Sequence, residues 1–219
     1  MIATKDYNRG RVVEYARKFA LQRNPIFYTF EGIGGNCTNF ASQCVLAGSC
    51  TMNFTPIYGW YYLSLNRRSA SWTGVDFFYD FFTTNQGLGP FGEESTLEGA
   101  EVGDLIQLQN EEDNFYHTLV ITEITEDEIF ICANSNDALD RPLSSYTYKN
   151  LRVIHILGVR YDTRYAIDCF EPLYSQTPIP PPPSDEPAPP TDEPAPPTDE
   201  PAPPADEPTP PTDEPAPAQ

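Results

Sequence analysis

The 219-residue sequence predicts an α+β domain followed by an extended, proline-rich tail. Three observations carry that reading. Before residue 100, apolar residues recur at spacings of three and four; after it they alternate as in strands; and beyond residue 185 no aromatic or large aliphatic side chain remains. Helices first and an antiparallel meander after them is the order expected of an α+β domain.

Residues 8–22 carry the first helical pattern. Val12, Val13, Tyr15, Ala16, Phe19 and Ala20 make an apolar stripe, with Arg9, Arg11, Glu14, Arg17 and Lys18 on the other side, and Asn24-Pro25 ends it. A second helix starts at or near Cys37 and runs to about Ala47, since Phe40, Ala41, Cys44, Val45 and Ala47 keep helical spacing and Gly48 closes the pattern. Residues 50–72 are irregular and aromatic. A short helix is expected over about 74–83, and Gly87, Gly89, Pro90 and Gly92 mark a loop. Strands follow at 105–108, 117–124, 129–133 and about 152–159, separated by the polar turns Gly103-Asp104, Glu111–Asn114 and Glu126–Glu128.

The composition changes from about Ser175, and residues 185–219 repeat the unit Asp-Glu-Pro-Ala-Pro-Pro-Thr with small variations, starting at Asp185, Asp192, Asp199, Asp206 and Asp213. Such a segment buries too little apolar surface to offset its ordering entropy, so it reads as a disordered or polyproline-like spacer. Fully extended at about 3.1 Å per residue it would reach on the order of 100 Å. The five Asp-Glu pairs supply ten of the 32 acids, and no base lies beyond Arg164, which leaves 22 acids against 13 bases before Asp185. An acidic domain of this kind has no electrostatic footprint for nucleic acid and none for an anionic membrane. The N-terminus lacks the apolar core of a signal peptide and no stretch is apolar enough to span a bilayer, so the sequence reads as cytoplasmic or as a mature or trimmed form.

Five cysteines, Cys37, Cys44, Cys50, Cys132 and Cys169, include no Cys-x-x-Cys pair. The odd count fits one reactive thiol with up to two bridges, or no bridge. Cys37 sits in Gly34-Gly35-Asn36-Cys37-Thr38-Asn39-Phe40, a glycine-bent loop leading into a helix. At that position unpaired N–H groups and the helix dipole favour thiolate, the nucleophilic form. Cys44, on the apolar face, fits a buried small hydrophobe.

A cysteine nucleophile needs a base with a pKa near neutrality. His117 opens a strand, a rigid mount at a rim, whereas His155 is flanked by apolar residues and reads as structural. A third polar group should hold the imidazole. If strands 117–124 and 129–133 form a hairpin, Asn134 returns beside His117, with Asn136 and Asp137 as substitutes. The aromatic run offers Trp60, Tyr61 and Trp72, with Tyr62, as candidate substrate-binding residues. The two histidines and scattered carboxylates have no metal-ligand spacing, and Gly32-Ile33-Gly34-Gly35 lacks the Lys-Ser/Thr of a phosphate loop, so neither metal nor cofactor is expected.

Tyr7-Asn8-Arg9, Val12 to Ala16, Asn24-Pro25, Gly34 to Cys44, Trp60-Tyr61-Tyr62, Ser71-Trp72, Gly103 to Gln107, His117 and Ile154 to Leu157 together resemble the bacterial putative amidase domain family over about residues 6–160. That family is similar to the papain-like CHAP and NlpC-type cell-wall hydrolases. The resemblance implies a papain-like fold, with helices packed on an antiparallel sheet or half-barrel; the domain then covers 1–172, and the tail, 173–219, lies outside the resemblance. The resemblance also implies Cys37 as nucleophile, His117 as general acid/base and Asn134 in the third position. The chain departs from the family pattern there, where histidine is usual, and at Asn36, where aspartate is usual. Loss of that negative charge beside the nucleophile lowers the expected thiol pKa slightly. The implied function is a cysteine amidase or endopeptidase, monomeric and secreted or cell-surface, cutting peptidoglycan amides. The alternatives are a weak or inactive wall- or protein-binding module and a peptidase acting on proteins.

Overall fold

The structure, a computed structural model, describes residues 1–178, so the repeat tail lies outside the described residues. In chain order the elements are β1 (Ile2–Lys5), α1 (Arg9–Phe19), α2 (Cys37–Ser49), β2 (Tyr62–Ser64), β3 (Arg67–Arg68), α3 (Val75–Thr84), β4 (Gly89–Ser95), β5 (Leu105–Gln109), β6 (Phe115–Ile124), β7 (Ile129–Ala133), β8 (Ala138–Pro142), β9 (Asn150–Asp162) and α4 (Phe170–Tyr174). The α+β class holds, with the helices packed on an antiparallel sheet.

Asn8 caps α1 by accepting from the Arg11 N–H at 3.1 Å, and Val12, Tyr15, Ala16 and Phe19 form its buried stripe. The helix stops at Phe19 rather than near residue 22, because the Phe19 and Ala20 carbonyls accept from the Asn134 amide instead of continuing the helix. All thirteen residues of α2 are buried, which makes it the central helix. Gly48 does not end α2; it lies one residue inside, and the helix closes on Cys50 in the left-handed conformation. A Cβ at Gly48 would come within 2.5 Å of Val12 Cγ2 and 2.8 Å of the Tyr7 ring, so this glycine lets α1 seat against α2.

Six strands run in the order β1-β9-β5-β6-β7-β8, and β4 pairs along the other edge of β9. The sheet obeys period two. Leu105, Val120, Cys132, Ile154 and Ile156 pack with the helices in one core. Ile106, Leu108, Leu119, Ile121, Ile131 and Val153 turn to the other face and form a second core with Leu143. The strand β4 replaces the loop expected from Gly89, Pro90 and Gly92. Pro90 sits on an edge strand, where its missing N–H is tolerated. At Gly92 a Cβ would lie 2.2 Å from the His155 carbonyl oxygen, so the glycine permits close pairing at a bulge.

One disulfide, Cys50–Cys169, ties α4 to the end of α2, while Cys37, Cys44 and Cys132 lie outside it. Leu173 is fully buried and its carbonyl accepts from Asn24, so the packed domain continues past residue 172.

Candidate functional site

Gly34 and Gly35 adopt φ of 112° and 90°, conformations that need glycine, and they turn the chain into α2. Asn36 follows as the N-cap residue, yet its side chain makes no capping bond. It points back into the protein: Oδ1 accepts from the Phe30 N–H (3.2 Å) and Asn39 Nδ2 (2.8 Å), and Nδ2 donates to Asn134 Oδ1 (3.0 Å). The Asn36 N–H donates to Ser135 Oγ at 2.5 Å. Asn39 in turn bonds the Tyr28 carbonyl and accepts from Trp72 Nε1. The loop before Cys37 is therefore held on three sides by buried amides.

Cys37 is the first residue of α2 and is nearly buried, with Sγ 3.8 Å from Thr38 Oγ1 and 4.0 Å from the Tyr116 carbonyl oxygen. Thr38 meets Thr118 of β6 at 3.0 Å, Gln107 donates to both Thr118 and the Val75 carbonyl, and Arg152 donates to Gln107. This polar ladder fixes the start of α2 against the middle of the sheet.

The sulfur thus reaches the backbone of the residue before His117. Thr118 faces α2, while His117, paired with Leu108, turns toward the second core, its ring 6.0 Å from Tyr116 and 6.1 Å from Tyr146. Its Nε2 is sealed and has no hydrogen-bond partner among the described residues. Burial, with the Arg141 charge adding to it, lowers the imidazole from 6.5 to about 4, so the ring is neutral at physiological pH.

Asn134 does not hold His117. Its Nδ2 donates to the Phe19 and Ala20 carbonyls, and its Oδ1 accepts from Asn36. The reason lies in the register: Val120 pairs with Cys132, which sets Asn134 opposite Thr118 and on the helix side of the sheet. Of the substitutes, Asp137 pairs with Arg23 at the surface. The aromatic residues do not form an open cleft either. Trp60 and Trp72 are fully buried, their rings 4.9 Å apart, and their N–H groups donate to Ser42 and Asn39. Tyr61 is 7 % exposed and packs on Phe54. Aromatic composition alone signalled both core and cleft, and here burial decides for core.

His155 belongs to a separate cluster, with Nδ1 2.7 Å from Oδ2 of the fully buried Asp104, whose Oδ1 pairs with Arg9 at 2.6 Å. The fold also brings the Tyr146 ring to 6.1 Å from the His117 ring, a neighbour that sequence reasoning did not single out. It lies in a polar stretch with no motif, and only its position in the fold brings it to His117. Among the described residues no group of three or more His, Cys, Asp or Glu side chains could hold a metal ion.

The family profile described as putative amidase domain matches residues 6–157. The chain is also 34 % identical over 117 residues to an uncharacterized protein, YhbB, of Bacillus subtilis (strain 168). That alignment covers 52 % of this chain and 37 % of the relative, so the chain spans well under half of that protein. No solved structure matches the chain. The matched profile spans the helix headed by Cys37, the strand bearing His117 and the Asn36–Asn134 contact, and the chain belongs to the putative amidase domain family.

Proposed function

We propose that this amidase-family domain is a papain-like cysteine hydrolase that cleaves amides, with Cys37 as the nucleophile. The observation that supports it is the placement of Cys37 at the head of a fully buried helix, in a loop braced by Asn36, Asn39, Asn134 and Ser135. A nucleophile held this firmly loses little orientational freedom on reaction. The Asn36 side chain does not cap the first turn of α2, which leaves backbone N–H groups there for an oxyanion.

In the proposed sequence Nδ1 of neutral His117 takes the thiol proton as sulfur attacks the amide carbonyl. The tetrahedral oxyanion is held at the start of α2. The C–N bond breaks as the imidazolium returns its proton to the leaving amine, leaving a thioester. Water, deprotonated by the same imidazole, hydrolyses the thioester and frees the thiol. The ring rests neutral, the form in which an imidazole nitrogen can accept a proton. By resemblance the substrate is an amide in the peptide stems of peptidoglycan. The Cys50–Cys169 bridge supports an oxidising compartment, and so export.

The test is hydrolysis of purified muropeptides and of denatured protein by wild type, Cys37→Ala and His117→Ala. Release of new amines by wild type, with losses of at least about 10³-fold in both variants, supports the reading. Wild type that is inactive on both substrates, with a Cys37 that resists iodoacetamide at neutral pH, rejects it. A second reading, a non-catalytic wall-binding module, draws on the weak basicity of the buried His117 imidazole, lowered to about 4. It requires that Cys37→Ala keep wall binding and that wild type show no turnover.

A further inference from the structure

Three buried polar side-chain atoms lack a hydrogen-bond partner among the described residues: Ser49 Oγ, His117 Nε2 and Tyr146 Oη. Two of the three are neighbours. The His117 and Tyr146 rings lie 6.1 Å apart at an interplanar angle of 43°. Buried polar atoms left unpaired are costly, and two on neighbouring rings can serve as donor and acceptor of one bond. The ring arms from centroid to Nε2 and from centroid to Oη together span about 4 Å, so this separation accommodates a hydrogen bond of about 2.8 Å once either ring turns slightly.

The surroundings of Tyr146 fix it for such a role. It follows the short 3-10 turn Leu143–Ser145, its N–H donates to the Leu143 carbonyl, and Leu143 is anchored in the second core. The Arg141 guanidinium lies over the phenol ring at 4.1 Å and is itself tied to Ser145 by two hydrogen bonds. The ring is therefore held from one face by Arg141, and its hydroxyl is buried. Asn134, which the sequence pattern put in this position, has both amide protons and its oxygen engaged elsewhere.

We propose that the Tyr146 hydroxyl is the positioning group for His117, accepting a hydrogen bond from Nε2–H so that Nδ1 is the basic nitrogen. This rests on the reading of His117 as the base in the proposed reaction, but the tautomer it demands is a property of the resting protein and can be read without turnover. Arg141 contributes by disfavouring the imidazolium, which keeps the ring in a neutral tautomer for Tyr146 to select.

The chain has only two histidines, so imidazole nitrogen resonances of the ¹⁵N-labelled full chain resolve into two sets, and His117→Gln assigns them. The expected result is a neutral His117 carrying its proton on Nε2, with slow solvent exchange of that proton. Tyr146→Phe, which keeps the ring volume, should speed that exchange at least about tenfold, the effect of losing one hydrogen bond. Asn134→Ala should leave the His117 tautomer unchanged. If the protein hydrolyses muropeptides, Tyr146→Phe should lower kcat by about the same factor with little change in KM. A wild-type His117 protonated on Nδ1 overturns the proposal whatever the variants do. So does a Tyr146→Phe protein with unchanged exchange, or an Asn134→Ala protein in which the tautomer is lost. Inactivity on every amide with the Nε2–H tautomer present rejects the hydrolase reading and leaves the Tyr146 contact standing.

Discussion

Asn134 gives the sharpest quantitative expectation, because a structural clamp and an imidazole holder predict opposite outcomes for Asn134→Ala. The side chain is 2 % exposed and makes three hydrogen bonds, to the Phe19 carbonyl (3.2 Å), the Ala20 carbonyl (2.8 Å) and Asn36 Nδ2 (3.0 Å). Truncation does not strand all three partners equally. The Phe19 carbonyl also accepts from the Gln22 N–H, so the main losses are the Ala20 carbonyl and one Asn36 N–H. At about 1–2 kcal/mol for each buried group left unpaired, Asn134→Ala should cost about 2–4 kcal/mol. At about 2–4 °C per kcal/mol for a domain of this size, calorimetry should record a Tm lower by roughly 4–16 °C. A double-mutant cycle with Asn36→Ala should return a coupling of about 1 kcal/mol for their shared bond. A Tm shift below about 2 °C, together with a large loss of kcat, would refute the clamp and restore Asn134 to the imidazole.

His117 makes stability depend on pH in a defined window. Its folded pKa of about 4 lies below the ordinary 6.5, so the unfolded chain binds more protons between those values and stability rises with pH across them. Denaturant titrations should show a loss of at most about 3 kcal/mol from pH 7 to pH 4, flattened in His117→Gln. Asp168, held low chiefly by Arg11, acts below that window and does not mask it. Reduction of Cys50–Cys169, whose ends lie 119 residues apart, should lower stability by about 2–5 kcal/mol, seen as a lower urea midpoint with reductant or in a Cys50→Ser/Cys169→Ser protein. Gly48→Ala sets about 1 kcal/mol of helix propensity against a Cβ 2.5 Å from Val12 Cγ2 and 3.0 Å from the Asn8 carbonyl oxygen. Overpacking, at about 1–3 kcal/mol, should outweigh that gain, and a more stable variant on thermal melting would show that α1 can back away.

The parts of the fold legible in the sequence are those where periodicity and burial coincide. The Val12–Phe19 stripe, the start of α2 at Cys37 and the alternation of β6 and β7 all follow from spacing. What escaped were residues whose identity answers a distant neighbour. Gly92 reads as a loop until His155 is laid against it, and Gly48 reads as a helix end until α1 is. Both glycines serve close approach, a tertiary cause that no local pattern carries. The site shows the same division. The cysteine loop could be read from its glycines. The third position could not, because hairpin reasoning locates Asn134 along the strand but is silent about which face it takes, and a shift of one residue reverses the face. Trp60 and Trp72 failed for a related reason, since large aromatics serve cores and clefts alike.

Asn36 and Asn134 make one contact. In the sequence they lie 98 residues apart, one beside the nucleophile and one at the end of a strand. In the fold their side chains hydrogen-bond to each other at 3.0 Å, on the helix side of the sheet. An aspartate at 36 facing a histidine at 134 would form a charged pair in this buried position. Two asparagines form a neutral one of the same reach, with the remaining donors and acceptors satisfied by Phe30, Asn39, Phe19 and Ala20. An unpaired buried charge is costly, and two neutral amides keep the contact without that cost. The pair therefore braces the loop that presents Cys37, and asparagine at both positions is compatible with an intact nucleophile platform. The role that this leaves open, that of a partner for the sealed nitrogen of His117, is the one that the Tyr146 hydroxyl is placed to fill.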